Sequence, residues 1–381
     1  MKSPKRILTI YFKFKPDGFC KRFRLMIEAY LDKGCQVHYI AVEPYPFEHE
    51  NLIPHIMPTP MKSRSSLVFW SYFFTVAPWH LLWVSIKHRV QLISVGSPLY
   101  ACLAGIAKLI TGTPLITFIF ITPNSVAQWR FSYSLYEKIE TLMDKMGLRW
   151  SNLLLANSWG AQSAWNKVYP KIPIEVFPNN VQDQCFDKQV RRKNLLNEFS
   201  LPEDRFLISH SGVLLKRKNH DCLIHAMSQL KGSRAVLFII GDGLRWEELH
   251  TMAKTLGIAD QIVFTGYRKD VVELIQGTDL FTFPSYAEGM AESLLEATTC
   301  QLPCLVSSIP ENTDVISNTE QHFPADQPDI LAEKINRLMN DPEYYQQLLA
   351  ATEKEKNRFI FDWKGKFYEK ALPFINNGKK T

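Results

Sequence analysis

Residues 285–300 read SYAEGMAESLLEATTC, and this segment decides how the chain is parsed. It lies between two short apolar runs of β type, FTFP (281–284) and LPCLV (302–306). Carboxylates recur at Glu288, Glu292 and Glu296, from a Gly-containing turn into an apolar helix. A helix that starts at the end of a buried strand presents unpaired backbone N–H groups in its first turn. With the helix dipole they form a site for anions. If Gly289, Met290 and Ala291 form the loop, the helix starts near Glu292, Glu288 precedes the site and Glu296 follows it. At 1.5 Å rise per residue, the run from Glu288 to Glu296 spans roughly 12 Å, about the reach of a sugar–diphosphate–ribose unit. Glu288 and Glu296 are then placed to accept hydrogen bonds from hydroxyls on either side of a diphosphate. Glu292 has the position of a favourable first-turn acid. The competing reading of all three is a solvated helix face.

A second constellation, SGVLLKRKNHDCLIHAM (211–227), follows the apolar run FLISH (206–210). A turn at Gly212 leads into Lys216, Arg217 and Lys218 and then into an amphipathic helix. Cations gathered after a strand end suit a phosphate clamp; the alternative is a solvated basic loop. A third stretch, IIGDG (239–243), has the look of a dinucleotide turn, but Trp246 stands where the third glycine is needed, so it reads as a tight turn only.

Further out, apolar runs alternate with longer amphipathic stretches. RILTIYF (6–12), QVHYIAV (36–42), QLISV (91–95), LITFIFI (115–121), NLLLA (152–156) and PIEVF (173–177) have the character of buried parallel strands. The polar run 178–205 interrupts them and is the best linker candidate. A second series follows: FLISH, AVLFII (235–240), QIVF (261–264), LFTF (280–283) and CLV (304–306). The expected fold is α/β, two tandem Rossmann-like doubly wound domains. The domains are placed at 1–180 and 181–359. A helix at about 360–381, containing FDWKGKFYEKAL (361–372), is expected to pack back on the first.

The 381 residues exceed what one core usually supports. With 46% hydrophobic and 22% charged residues the chain is an ordinary globular one. A net charge of +6 favours anionic partners. The positive residues cluster only at KRK and RRK, which argues against a nucleic-acid binder. Seven cysteines lie scattered without a CxxC pair, which points to a reducing compartment and away from zinc or a disulfide framework. No HExxH, P-loop or GxSxG occurs, and no Asp-x-Asp pair exists to clamp a metal–diphosphate. His38, inside a strand, reads as structural, and no metal site is expected. The segment 67–86 carries no formal charge over twenty residues, with Lys62, Arg64, Lys87 and Arg89 at its flanks. Pro78 and His80 argue against a membrane span. From Pro78 onward, Trp79, Leu82, Trp83 and Ile86 share a helical face. That face either packs on the domain or dips into an acidic membrane interface through 62–89.

EGMAESLLE is similar to the E-x7-E motif of retaining, two-domain (GT-B) glycosyltransferases of family 4, the glycosyl transferases group 1. PNNVQDQCF (178–186), SGVLLKRKNHDCLIHAM, IIGDG, IVFTGY, DLFTFPSYAEG and SSIPENTDVI follow in the order that family shows. The resemblance covers nearly all of the second domain and is looser in the first. It implies a cleft between the domains and metal-independent transfer of a sugar from a UDP- or GDP-linked donor, with no other cofactor. It also implies an acceptor that is a glycan or lipid-linked glycan, in polysaccharide or lipopolysaccharide assembly. The expected place is the cytoplasm, at the inner face of the plasma membrane. Lys218, with Arg217 and the Gly212 turn, would bind the diphosphate. Gly289 and the amides around Met290, Ala291, Glu292 and Ser293 would hold the phosphate and sugar. Glu288 would contact sugar hydroxyls, Glu296 the ribose and Tyr267 the base, and Gly18 would lie near the donor phosphates and the acceptor. Lys218 and Glu288 are the residues assigned to the chemistry. The sequence departs from the pattern at Val213, where the family often has Arg, at Phe120, where many members have His, and at the single glycine Gly18. No general base can be named. An epimerase-hydrolase or glycosyl phosphorylase on the same fold, or a non-catalytic membrane-associated scaffold, remain as alternatives.

Overall fold

The computed structural model describes residues 4–14, 18–59, 67–120, 123, 134–183 and 187–377. The chain divides into two compact units, Met1–Asn179 with Asp362–Thr381, and Asn180–Phe361.

The first unit is a parallel sheet of β1 (Arg6–Ile10), β2 (Gln36–Ala41), β3 (Leu52–Ile56), β4 (Leu92–Val95), β5 (Leu115–Ile119), β6 (Leu153–Ala156) and β7 (Glu175–Val176). Their order is β3-β2-β1-β4-β5-β6-β7. The helices are α1 (Gly18–Leu31), α2 (Leu67–Lys87), α3 (Pro98–Thr111), α4 (Ser134–Trp150), α5 (Trp159–Val168) and, from the end of the chain, α14 (Trp363–Asn377). Local signals set several boundaries. Ser97 caps α3 by accepting from the Tyr100 amide, with Pro98 at its start and a left-handed Gly112 at its end. Ser158 caps α5 in the same way.

The second unit is a parallel sheet of β8 (Phe206–Ser211), β9 (Ala235–Ile240), β10 (Ile262–Gly266), β11 (Leu280–Phe283), β12 (Cys304–Ser307) and β13 (His322–Phe323), in the order β10-β9-β8-β11-β12-β13. Its helices are α6 (Lys188–Glu198), α7 (His220–Gln229), α8 (Trp246–Thr255), α9 (Val271–Gln276), α10 (Glu292–Thr298), α11 (Pro310–Thr313), α12 (Pro328–Asn340) and α13 (Pro342–Lys356). Every residue of β8, β9, β11 and β12 is buried, which is why these strands read as unbroken apolar runs. In each sheet the strand order reverses once, between β1 and β4 and between β8 and β11. This is the doubly wound arrangement, and it opens a crevice at the carboxyl ends of those two strands.

Three expectations need correction. The run 178–205 is not a linker throughout, because 188–198 is the helix α6, capped by Asp187. Leu195 and Leu196 bury it in the core, and Arg192 Nη1 meets Asp279 Oδ2 at 2.8 Å. Its polarity comes from an exposed face. β3, missed because Pro54 sits in its middle, lies at the sheet edge where a missing N–H is tolerated. Finally, α2 does not begin at Pro78 but runs through it from Leu67. Phe69, Phe73, Ala77, Leu81 and Val84 form its buried stripe, so Trp79, Trp83 and Ile86 are exposed instead. Its flanking Lys62 and Arg64 lie outside the described residues. Among the described residues no helix is long and apolar enough to cross a membrane.

The terminal helix α14 belongs to the first unit. Trp363 is buried, stacks on Phe367 at 4.9 Å and donates from Nε1 to the Pro178 carbonyl at 3.1 Å. Lys364 and Lys370 pair with Asp32 and Glu175, each at 2.6 Å.

Candidate functional site

The switch point of the second sheet brings together the two segments that the sequence singled out. β8 pairs with β11 through Leu280 beside Ile208 and Phe281 beside Ser209. Two loops therefore leave adjacent strand ends: 212–219 after β8 and 284–291 after β11. Hydrogen bonds join them. The Tyr286 amide donates to the Arg217 carbonyl at 2.8 Å, and Arg217 Nη1 donates to the Ala287 carbonyl at 3.1 Å. Asn219 Nδ2 donates to the Pro284 carbonyl at 3.1 Å and to the Ala325 carbonyl at 2.7 Å. Asn219 is left-handed at φ 55°, a conformation that Asn tolerates better than most residues.

At the centre stands Glu288, 8% exposed. Its Oε1 lies 2.7 Å from Lys218 Nζ and 3.0 Å from Arg217 Nη1. Burial alone pushes this carboxyl up, but Lys218 and Arg217 outweigh burial and hold it below the ordinary carboxylate value. Burial pulls the Lys218 ammonium down, and the Glu288 carboxylate counters it. Two basic side chains thus face one carboxylate, a formal excess of positive charge. Lys218 Nζ also lies 4.6 Å from the centre of the Phe283 ring. Arg217 is a third exposed, so one side of its guanidinium faces outward.

Below the loops, α10 starts at Glu292 with Ala291 as its N-cap, and no side chain caps it. Its first amides therefore have no partner within the helix. Met290 and Ala291 are buried, while Gly289, Glu292, Ser293 and Glu296 are half-buried. Ser293 Oγ donates to the Ser211 carbonyl at 3.2 Å, which ties the helix start to the end of β8. Gly212 sits over the Lys218 stem: a Cβ there would lie 3.4 Å from Cδ and Cε of Lys218. Tyr267 is exposed in the turn after β10. In the first unit, Gly18 opens α1 and is exposed. Phe120 is buried at the end of β5, with its ring 4.8 Å from Phe19.

The ion pair between Glu288 and the cations was not foreseen. Nor were four supporting features. The IIGDG turn braces the basic loop. A Cβ at Gly241 would lie 2.2 Å from the Gly212 carbonyl oxygen, and one at Gly243 2.7 Å from the Leu214 nitrogen. Gly241 also has φ 140°, so both glycines are there for close backbone approach. His210, buried, donates from Nδ1 to the Thr282 carbonyl at 2.9 Å; burial lowers it to about 4 and keeps it neutral. Ser285 supplies its carbonyl to Ser307 Oγ at 2.6 Å. Glu311, 8% exposed in SSIPENTDVI, is raised to about 7 by burial, with Asp314 and Glu288 adding to the shift. The paired glycines of IIGDG were the one visible signal for any of these.

Residues 191–355, the span carrying both loops, match the family model for glycosyl transferases group 1. A UDP-Gal:alpha-D-GlcNAc-diphosphoundecaprenol alpha-1,3-galactosyltransferase of Escherichia coli is 28% identical over 163 residues, 41% of this chain and 42% of that protein. A Campylobacter jejuni 4-alpha-N-acetylgalactosaminyltransferase, named for a diphospho-undecaprenol acceptor, is 30% identical over 170 residues, 45% of this chain and 43% of that protein. The matches thus span under half the length of these curated relatives. Anabaena HepE, solved with UDP and glucose, superposes with TM-score 0.75 at 18% identity over 97% of this chain and 99% of its own. The match to glycosyl transferases group 1 is therefore confined to residues 191–355, and the chain has a GT-B fold.

Two outcomes follow. Gly241→Ala should cost about 2–4 kcal/mol, from a strained backbone and the clash with Gly212, read as a lowered urea midpoint of the second unit. Glu311 holds a proton more tightly folded than unfolded. Its contribution to stability is full below about pH 4.5 and is lost as pH rises through about 7. Glu311→Gln should therefore gain about 1–3 kcal/mol over the parent near pH 8.5 and little near pH 4, by denaturant melts at both.

Proposed function

We propose that the protein transfers a sugar from a UDP- or GDP-linked donor to a glycan or lipid-linked acceptor, with retention of configuration and without a metal. One observation carries this reading: Lys218 and Arg217, held by buried Glu288, converge with the uncapped start of α10 at the β8/β11 switch point. Breaking the sugar–phosphate bond leaves positive charge on the sugar and negative charge on the departing diphosphate. Fixed cations and amides aimed at the leaving oxygens stabilise that charge without reorganising. The net positive charge left after Glu288 is paired suits a pyrophosphate. Glu296 is assigned to the ribose and Tyr267 to the base. Glu288 keeps a double task, as counter-ion to the cations and as a neighbour of the sugar hydroxyls. Glu311, with its carboxyl near neutrality, joins the set of groups beside Glu288. At the switch point of the first sheet the rings of Tyr11, Phe19 and Phe120 gather in place of a polar side chain, so no base is assigned.

The names of the two curated relatives support a diphosphate-linked polyprenol acceptor, which resides in a membrane. The solvent face of α2, with Trp79, Trp83 and Ile86 beside Lys87 and Arg89, is assigned to an acidic membrane surface at the cytoplasmic side. The role is then in surface polysaccharide or lipopolysaccharide assembly.

A thermal-shift screen against nucleotide sugars, followed by transfer assays, tests the donor. Lys218→Ala should lower kcat/KM by roughly 100-fold or more while the fold persists by circular dichroism. Turnover like the parent's would refute the clamp. Glu296→Ala should mainly weaken donor binding by calorimetry. Added magnesium or manganese should leave the rate unchanged, whereas free sugar release or phosphate dependence would favour the hydrolase or phosphorylase instead. For the membrane, vesicles containing anionic lipid should sediment the protein at low salt. Combined Trp79→Ser and Trp83→Ser should reduce the bound fraction several-fold; protein left wholly in the supernatant at low salt would remove this part of the reading.

A further inference from the structure

Three imidazoles far apart in sequence meet in the first unit. His38 lies in β2 and His55 in β3, and His88 follows the last residue of α2. In the parallel register His55 stands beside Ile40, two residues on from His38, so both histidines lie on the same face of the sheet. The end of α2 lies over that face, with Trp83 6.1 Å from His55 and 6.4 Å from His88 by ring centres. The ring centres of the three histidines are 5.2, 4.4 and 5.0 Å apart. One ring nitrogen from each lies within 4.8 Å of the other two.

The hydrogen bonding among them is incomplete. His38 Nδ1 and His55 Nε2 lie 2.9 Å apart and share one proton between them. His38 Nε2 and His88 Nε2 are buried with no hydrogen-bond partner. A neutral imidazole has one donor and one acceptor nitrogen, so whichever tautomer His38 adopts, its Nε2 is stranded. Leaving such groups unsatisfied in a packed interior is costly.

We propose that His38, His55 and His88 bind a divalent transition-metal ion, Zn2+ in the first instance, through three neutral imidazole nitrogens, with a water or small anion completing the tetrahedron. The donor set selects the ion. Three imidazoles with no carboxylate among them suit Zn2+ and its neighbours in the first transition row and not Mg2+ or Ca2+. Tetrahedral ligation at 2.0–2.1 Å puts ligand nitrogens about 3.4 Å apart. One nitrogen from each ring, all within 4.8 Å of one another, lies near that spacing. Arg6 Nη1 donates to the His88 carbonyl at 3.0 Å and fixes the third ligand's backbone. Arg6 and Lys87 also bring like charge near, which limits affinity and favours an accompanying anion. A bound ion would tie the edge strand β3 to β2 and to the end of α2. It would take no part in sugar transfer, and the inference does not rest on that reading.

The test uses tag-free full-length protein, stripped with chelator and titrated with ZnCl2 alone. One zinc per chain is expected by elemental analysis after dialysis, with a raised melting temperature. His55→Ala and His88→Ala, both at half-buried positions, should each lower affinity more than about tenfold, with circular dichroism unchanged. Cobalt(II) in place of zinc should give the strong visible absorption of a four-coordinate ion in the unaltered protein, so the test survives if a variant fails to fold. Absence of both uptake and that absorption at micromolar free metal would leave a hydrogen-bonded imidazole pair and overturn the site. Equal uptake by both variants would place the ion elsewhere and overturn it too.

Discussion

A carboxylate almost out of reach of water holds two cations where the second sheet reverses its strand order. Burying Glu288 alone would be prohibitive, and burying Lys218 alone would strip its proton. Together they are tolerable, because each offsets part of the other's cost of burial. Such pairs add little net stability over a well-packed apolar replacement, although removing one partner is severe. Stability is therefore a poor reason for the pair to exist. Its effect is positional: Lys218 cannot swing to solvent, and Arg217 is steered by the same oxygen. The loops that carry these side chains are in turn fixed by the close backbone approach of Gly241 to Gly212 and by the Asn219 side-chain amide, which donates to the carbonyls of Pro284 and Ala325. Positive charge held this way needs no reorganisation when an anion arrives.

The two sheets repeat one topology and spend it differently. At the second switch point the side chains are charged and hydrogen-bonded. At the first, Tyr11, Phe12, Phe19, Phe23 and Phe120 form a network of rings. A site of the first kind suits a ligand with fixed charge and hydroxyls, recognised through direction. One of the second kind supplies area and little direction. The exposed tryptophans of α2 belong to that second style, since their rings remain outside although a full apolar stripe of the same helix is already buried.

Much of the second unit was legible because its chemistry is local. A basic turn and a glycine-containing helix start are each built from neighbouring residues at a strand end, so SGVLLKRK and EGMAES stand out within a dozen positions each. Their convergence followed from strand order alone. The run 178–205 was read as a linker because α6 turns charge outward on most of its circumference, and composition reports the exposed face more loudly than Leu195 and Leu196. Pro54 hid β3 because proline argues against a central strand, while edge position needs no complete ladder. Pro78 was read as a helix start, but the buried stripe from Phe69 to Val84 is strong enough to carry the helix through it. In each case a local rule was overridden by packing that only the assembled sheet supplies.

The histidine cluster marks the opposite limit. His38, His55 and His88 lie on three separate elements, and their spacing matches no helical or loop pattern. Each alone is an unremarkable residue on a strand or after a helix. They meet because β3 adds in parallel beside β2, and because α2 ends over the face those strands expose. A charge constellation could be read from sequence because the turn that displays it also encodes it. Ligands contributed one at a time by sheet register and helix length carry no such local mark, and only the stranded nitrogens of the folded chain make them visible.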